Sequence, residues 1–337
     1  MSFIFQCFNP EISQEWDDFV ISAENGSIHQ ITAWKNFQER IPGRGHVLGF
    51  LARDEQGKIM ATCFCVKMEM GVLGKFWWYS ARGPVFLSEK AGKFLVQEIT
   101  KELQKTDGIF WRFDPYVKNF NWSDMVVKSA TKQFQPTDTL VIDLQKDNEK
   151  ILAEMKRKGR YNINLARKKN ISIVAKSGEE ITDSDIHDFY RLNIETTARD
   201  KFHGHEKKYY AALLRSLSQN AVLFFALHEG KKIATAISTF CGPKAIYYFG
   251  ASTSDPRHRN LMAPYLLQWE MMQYAREKNC QTYDFLGIAP EGSENHPYTG
   301  ITQFKKQFGG ERQTFDAGKE MALKKFWYFL YRMVKKR

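Results

Sequence analysis

Near one end of the chain a lysine stands between aromatic residues and ahead of two glycines, in Phe304-Lys305-Lys306-Gln307-Phe308-Gly309-Gly310. Upstream, Tyr283-Asp284-Phe285-Leu286-Gly287-Ile288 reads as a strand that delivers Asp284 at its end, and His296-Pro297-Tyr298 follows in a loop. A short helix over Lys305, stopped by the double glycine, would hold a cation on the wall of a pocket. A fixed cation suits acyl transfer, where an amine attacks an ester and negative charge grows on the carbonyl oxygen. Losing one such donor typically costs roughly a hundred- to a thousandfold in rate. Lys305 could instead hold a phosphate, and the plain alternative is a solvated lysine. Lys306 lies about 100° further round the helix, so the two cannot both face one reacting group.

Asp114 closes the run Phe110-Trp111-Arg112-Phe113-Asp114 just before Pro115. An attacking amine is mostly protonated at neutral pH and needs a proton acceptor, which a carboxylate there could be. Otherwise Asp114 caps a turn or pairs with Arg112 or Arg82; Asp284, at the corresponding later point, reads as structural. A helix over 154–170 carries Lys156, Arg157, Lys158, Arg160, Arg167, Lys168 and Lys169. With Tyr161, Ile163 and Leu165 on its buried side, the cations would form either a solvated face or one that neutralises several phosphates. Tyr247 and Tyr248 alternate on a strand, so one faces the core and the other a groove. His203-Gly204-His205 lacks a third ligand at a convincing spacing, which makes it a loop rather than a metal site.

The elements that must position these residues occur twice. A strand over 47–52 meets a turn with Gly57 and a second strand from Ile59; a strand over 222–227 meets a turn with Gly230 and a second strand from Ile233. Each hairpin is followed by an aromatic strand (76–81, 246–251). Next come a helix with apolar residues at helical spacing (Leu95, Ile99, Leu103; Leu266, Met272, Ala275) and a strand ending in Asp114 or Asp284. The repeat implies a duplicated α/β module with its junction near 133–147. The stretch 321–337 reads as one long aromatic helix.

Two modules suit 337 residues. With 43% hydrophobic and 26% charged residues the chain has the composition of a soluble globular protein. No apolar run would span a bilayer and no secretory signal pattern opens the sequence, so a cytoplasmic protein is expected. The five cysteines have neither zinc nor disulfide spacing and are expected reduced and buried. A formal net charge of +11 favours polyanionic partners.

Five segments in order complete the pattern: Arg82-Gly83-Pro84-Val85, Arg112-Phe113-Asp114-Pro115, Lys158-Gly159-Arg160-Tyr161-Asn162-Ile163 with Ala166-Arg167-Lys168, Ala263-Pro264-Tyr265-Leu266-Leu267-Gln268-Trp269-Glu270, and 283–310. Together they resemble the FemABX aminoacyltransferases, tRNA-dependent enzymes that add amino acids to the stem peptide of peptidoglycan precursors. Lacking a long charged heptad segment, the chain resembles the compact FemX-like subtype without the coiled-coil arm. The resemblance implies an α/β (α+β) fold of tandem GNAT-like acyltransferase domains, each a mixed sheet flanked by helices. Residues 1–138 with 317–337 would form the acceptor-side domain and 139–316 the aminoacyl-tRNA side, with the acceptor between them.

By the same resemblance, Lys305 and Asp114 are catalytic, and Phe304, Arg82, Gln38, Lys35, Tyr209, Tyr210, Tyr247 and Tyr248 bind substrate. Arg157, Lys158, Arg160, Arg167 and Lys168 bind tRNA. The implied partners are aminoacyl-tRNA and a nucleotide-linked or lipid-linked precursor, with no metal or cofactor. The chain would act as a cytoplasmic monomer, and a basic aromatic tail would allow peripheral contact with the inner membrane face. Two positions depart from the pattern: Gln38, with Lys35 nearby, stands where a lysine is expected, and Glu206 or Lys207 where an arginine is expected near His205.

Two other functions compete. An acetyltransferase using acetyl-CoA needs a glycine-bearing turn whose N–H groups cradle a pyrophosphate. Counting from Arg257, that turn would hold Asn260 and Met262 in place of glycine and a small residue, and Pro264 removes an N–H. A non-catalytic RNA-binding protein would account for the charge but not for the pocket-like arrangement around Lys305.

Overall fold

The computed structural model describes residues 2–71, 74–293 and 296–335. Its strands are β1 (Ile4–Cys7), β2 (Val47–Arg53), β3 (Ile59–Glu69), β4 (Phe76–Ala81), β5 (Val85–Phe86), β6 (Phe110–Asp114), β7 (Lys128–Ser129), β8 (Asp138–Asp143), β9 (Ser172–Ser177), β10 (Ala221–His228), β11 (Lys231–Cys241), β12 (Lys244–Ser252), β13 (Thr282–Gly287), β14 (Glu311–Thr314) and β15 (Lys319–Ala322). The helices are α1 (Ser13–Ser22), α2 (Thr32–Glu39), α3 (Glu89–Gln104), α4 (Asn148–Glu154), α5 (Arg157–Lys168), α6 (Asp183–Asp200), α7 (Lys207–Leu217), α8 (Pro256–Arg259), α9 (Ala263–Glu277), α10 (Thr299–Lys305) and α11 (Lys325–Lys335). The chain divides into two units, Met1–Thr137 with Thr314–Arg337, and Asp138–Gln313.

Each unit is built on one mixed sheet, and the two sheets follow the same plan. The first runs β1-β2-β3-β4-β6-β15-β7, with β5 on β3; the second runs β9-β10-β11-β12-β13-β8-β14. In both, an antiparallel hairpin leads to an aromatic strand, a crossover helix, and a strand parallel to the aromatic one. The β10–β11 turn consists of Glu229 and Gly230, both at positive φ, as a two-residue turn matched to strand twist requires. Ser88 caps α3 by accepting from the Ala91 N–H, and Ala91, Leu95, Val96, Ile99 and Leu103 bury one face against the first sheet. In the second unit α9 buries Leu266, Leu267, Met271, Met272 and Ala275 in the same way.

The copies differ where it matters for a site. In the first unit β4 and β6 stay paired to their ends, Ala81 opposite Asp114. In the second, β12 and β13 pair from Lys244–Thr282 to Ile246–Asp284 and then part, although β12 continues to Ser252.

Three sequence expectations need correction. The stretch 321–337 is not a single helix. Residues 319–322 form β15, antiparallel to β6, because Glu320 reaches the buried guanidinium of Arg112, and the helix begins only at Lys325. The helix expected over 154–170 is broken at Met155 and Lys156, both extended, with Met155 buried. Its second half buries Gly159, Asn162, Ile163 and Ala166, while Tyr161 is 65% exposed. Residues 161, 163 and 165 have strand spacing, whereas a helix buries every third or fourth residue. Finally, Cys7 is exposed while the other four free cysteines are buried. Among the described residues no helix is long and apolar enough to cross a membrane.

Candidate active site

The candidate site lies along the part of β12 that has left β13, beside α6, the start of α9 and α10. Opposite Ile237 and Ser238 the β12 register slips by one, from Phe249 to Tyr247, which leaves Tyr248 as a bulge residue. The Tyr247 ring leans towards Phe285, 6.2 Å between centroids, and its hydroxyl lies over Gly250, where a Cβ would stand 1.7 Å from it. Only glycine fits there. Burial pushes the Tyr247 hydroxyl up to about 12. Tyr248 packs on Phe249 at 5.0 Å. The space left is a cavity of about 270 Å³ lined by Thr196, Arg199, Tyr247, Gly250, Gln268 and Phe304, among others. It also reaches the first turn of α9 at Met262, Ala263 and Pro264.

Lys305 sits at the end of α10, 6% exposed, and its Nζ donates to the Gly287 carbonyl at 2.6 Å. Nζ is 5.9 Å from the Tyr247 ring centroid. The Gly287 carbonyl is presented because β13 breaks register between Asp284 and Gly287, with Leu286 at φ 60°; Asp284 Oδ1 accepts from the Leu286 N–H at 2.7 Å and shapes that break. Burial pulls the Lys305 ammonium down to about 8, against the opposing charge of Asp284. Phe308 is fully buried against Phe285, and Phe304 packs edge-on to Tyr265 at 5.2 Å while also lining the cavity. The two rings fix the rotation of the helix, so Lys305 points inward and Lys306 is exposed. Gly309, at φ 78°, lets the chain turn where a Cβ would meet the Glu154 carbonyl at 2.8 Å.

Asp114 belongs to the first unit and is 2% exposed. Its Oδ2 accepts from the Tyr79 hydroxyl at 2.5 Å and from the Gln135 N–H at 3.3 Å; its buried Oδ1 has no hydrogen-bond partner among the described residues. Desolvation raises its pKa, and the charges of Arg82 and Arg112 oppose the rise. Among the described residues the alternative pairing with Arg112 or Arg82 does not form. Arg112 is taken by Glu320, with Nε 3.0 Å from Oε1. Arg82 donates to the Pro136 carbonyl at 2.8 Å and lies 4.9 Å over the Tyr116 ring.

Other expected site residues are placed differently from one another. Gln38 is buried and accepts from Arg44, while Lys35 pairs with Glu39 at 2.8 Å. Tyr209 stacks on His205 with centroids 3.7 Å apart. Tyr210 is a core residue, 1% exposed, with its hydroxyl held by the His205 N–H and Asn193. Arg160 does not join the cationic face. It donates to the carbonyls of Leu152, Ala153 and Met155 and closes the end of α4. Arg157, Lys158 and Lys168 are exposed, and Arg167 is 3.2 Å from Glu270. Thr196 and Arg199 line the cavity although no motif or spacing marks them in the sequence, whereas Gln268, also on the lining, lies within the quoted segment 263–270. One signal was present in Gly250, since a glycine within a strand marks a bulge or a close approach.

The FemAB family model matches residues 12–133, 119–238 and 227–336. The lipid II:glycine glycyltransferase of Staphylococcus haemolyticus (strain JCSC1435) is 22% identical over 379 residues, covering 88% of each chain. The UDP-N-acetylmuramoylpentapeptide-lysine N(6)-alanyltransferase of Weissella viridescens is 23% identical over 312 residues, 86% of this chain and 88% of that one. The crystal structure of FemX matches with a TM-score of 0.84 at 19% identity, covering 96% of this chain and 99% of its own. A tandem GNAT protein from the clavulanic acid biosynthesis pathway matches at 0.54 and 11% identity, over 96% and 99% of the two chains. The fold is therefore the tandem GNAT-like one, and with the family model matched from residue 12 to residue 336 the chain belongs to the FemAB family.

Proposed function

We propose that this protein is an aminoacyltransferase that moves an amino acid from aminoacyl-tRNA to an amine on the stem peptide of a peptidoglycan precursor. The observation that carries this reading is the buried Lys305, immediately behind a cavity wall formed by Tyr247 and Phe304. The activities named for the relatives, glycyl transfer to lipid II and alanyl transfer to a lysine N6, support the same chemistry.

In this reading the 3′ end of the tRNA enters the second unit. The acceptor nitrogen attacks the ester carbonyl, a C–N bond forms, and the ester C–O bond breaks with the tRNA hydroxyl as leaving group. Negative charge on the carbonyl oxygen is met by the Lys305 ammonium, which has N–H donors beyond the one given to Gly287. Asp114, on the acceptor side, takes the proton lost by the attacking nitrogen, and burial raises the basicity it needs. Arg82, whose charge acts on Asp114, binds the acceptor. Arg157, Lys158 and Lys168 draw the tRNA backbone. The chain works on the cytoplasmic side, in peripheral contact with the membrane that carries or receives the precursor.

A transfer assay with labelled aminoacyl-tRNAs and both nucleotide-linked and lipid-linked acceptors tests the reading. Product should require charged tRNA and cease on adding ribonuclease. Comparable product from acetyl-CoA with no RNA present would overturn it.

A further inference from the structure

An ordinary surface helix buries an apolar stripe and shows a polar face, whereas α11 buries an aromatic face and is apolar on its outer face as well. It docks on the first unit through the rings of Trp327, Tyr328 and Tyr331, which pack into the cluster around Phe110, and through their polar atoms. Tyr328 is buried and its hydroxyl donates to Glu320 Oε2 at 2.9 Å. The Tyr331 hydroxyl accepts from Arg112 Nη2 at 2.8 Å, and Arg332 Nη1 donates to the Ser129 carbonyl at 3.1 Å. The face turned outward carries Phe326, Phe329, Leu330, Met333 and Val334, which are 66%, 61%, 38%, 53% and 72% exposed. Their spacing gathers them within about 140° of arc at about 100° per residue. A single exposed phenylalanine needs no explanation, but a continuous stripe of five marks a surface that something covers.

Charge identifies the cover. From Lys324 to Arg337 there is no acidic residue, while Lys324, Lys325, Arg332, Lys335, Lys336 and Arg337 are cationic. Two more cations flank the helix: Lys75, whose Nζ is 4.6 Å over the Trp327 ring, and Lys128, exposed and 5.7 Å from the Tyr328 ring. A second copy of the chain would bring like charges together around the stripe and be repelled. A bilayer with acidic headgroups accepts both features, the apolar side chains at the acyl boundary and the cations at the headgroups. We infer that α11 seats the protein on an anionic membrane surface, lying in the plane of the interface. This deepens, and rests on, the peripheral membrane contact proposed above by naming the element and the lipid chemistry.

The test is sedimentation of the full chain with vesicles of phosphatidylcholine alone or mixed with phosphatidylglycerol. The protein should bind only the mixed vesicles, and less as salt rises. Phe329→Ser with Val334→Ser should weaken binding about tenfold or more. Lys324→Gln and Lys325→Gln should each weaken it about fivefold. Thermal melts matching the parent chain would show that the exposed substitutions leave the fold intact. Transfer by the parent chain to a soluble nucleotide-linked acceptor, without vesicles, is measured beside it. Loss of that transfer with vesicle binding intact counts against the enzymatic reading alone. Equal binding to both vesicle types, binding to neither, or a concentration-dependent dimer abolished by Phe329→Ser with Val334→Ser would each overturn the inference.

Discussion

At the scale of single residues, Lys305 and Asp114 are both ionisable groups held where burial opposes their charge. Lys305→Met is expected to lower single-turnover transfer by about two orders of magnitude or more, and Lys306→Met far less, because an exposed cation adds only screened attraction. Equal modest losses would remove the catalytic assignment. Lys305 also carries a stability signature. Its folded value of about 8 lies below the ordinary lysine value of 10.5, at a cost on the order of 3 kcal/mol while it is charged. Between those values the unfolded chain binds more protons, so stability rises with pH across that window. The melting temperature of Lys305→Met minus that of the parent should therefore fall from pH 7 to pH 10, and a constant difference would contradict the burial of this charge. Asp114 has the reverse sign. Its raised pKa contributes stability that is present at acid pH and lost as pH rises through the folded value. At pH 7 Asp114→Asn should melt higher than the parent yet transfer roughly a hundredfold more slowly. A variant that is both less stable and fully active would dismiss the proposed base.

At the scale of elements, the bulge in β12 makes room for Tyr247, and Gly250 is the residue that permits it. Gly250→Ala should displace the ring and depress transfer strongly, whereas Gly250→Ala combined with Tyr247→Ala should cost less than the sum of the two changes, since the clash is then gone. Additive losses would mean that the two side chains do not meet. The helix α5 separates its cations by task. Replacing Arg157, Lys158 and Lys168 together by glutamine should weaken tRNA binding and flatten its salt dependence, by about one slope unit for each phosphate left without its cation. Arg160→Gln should instead lower the melting temperature, because three carbonyls at the end of α4 lose their donor. If Arg160→Gln changed only the salt slope, its capping role would be wrong.

At the scale of the whole molecule, both ends of the chain contribute to one sheet: β1 opens it and β15 lies beside β6. The pair Arg112–Glu320 joins those neighbours, both side chains almost wholly buried. Breaking such a pair from one side leaves an uncompensated charge, so Arg112→Met should cost about 3–5 kcal/mol, read by denaturant unfolding. A loss below about 1 kcal/mol, typical of an exposed pair, would show that the buried pair does not hold the strand.

Much of this protein was legible in its residues. Hairpins, aromatic strands and crossover helices repeat in order, because alternation and helical spacing are local patterns that a duplicated chain writes twice, although Asp284 lies within β13 and not at its end. The inward aim of Lys305 over Lys306 was legible too, since Phe304 and Phe308 fix the phase of one short helix. Tertiary structure decided the rest. Periodicity could not tell that β12 and β13 part while β4 and β6 do not, because strand pairing is settled between segments distant in sequence. Nor could it place residues 319–322 in a strand: the partner that holds Glu320 there is Arg112, two hundred and eight positions earlier. For the same reason the surroundings of Arg160 and Tyr210 were not legible, since a side chain's charge or ring is visible in the sequence but the carbonyls and amides that contact it are not.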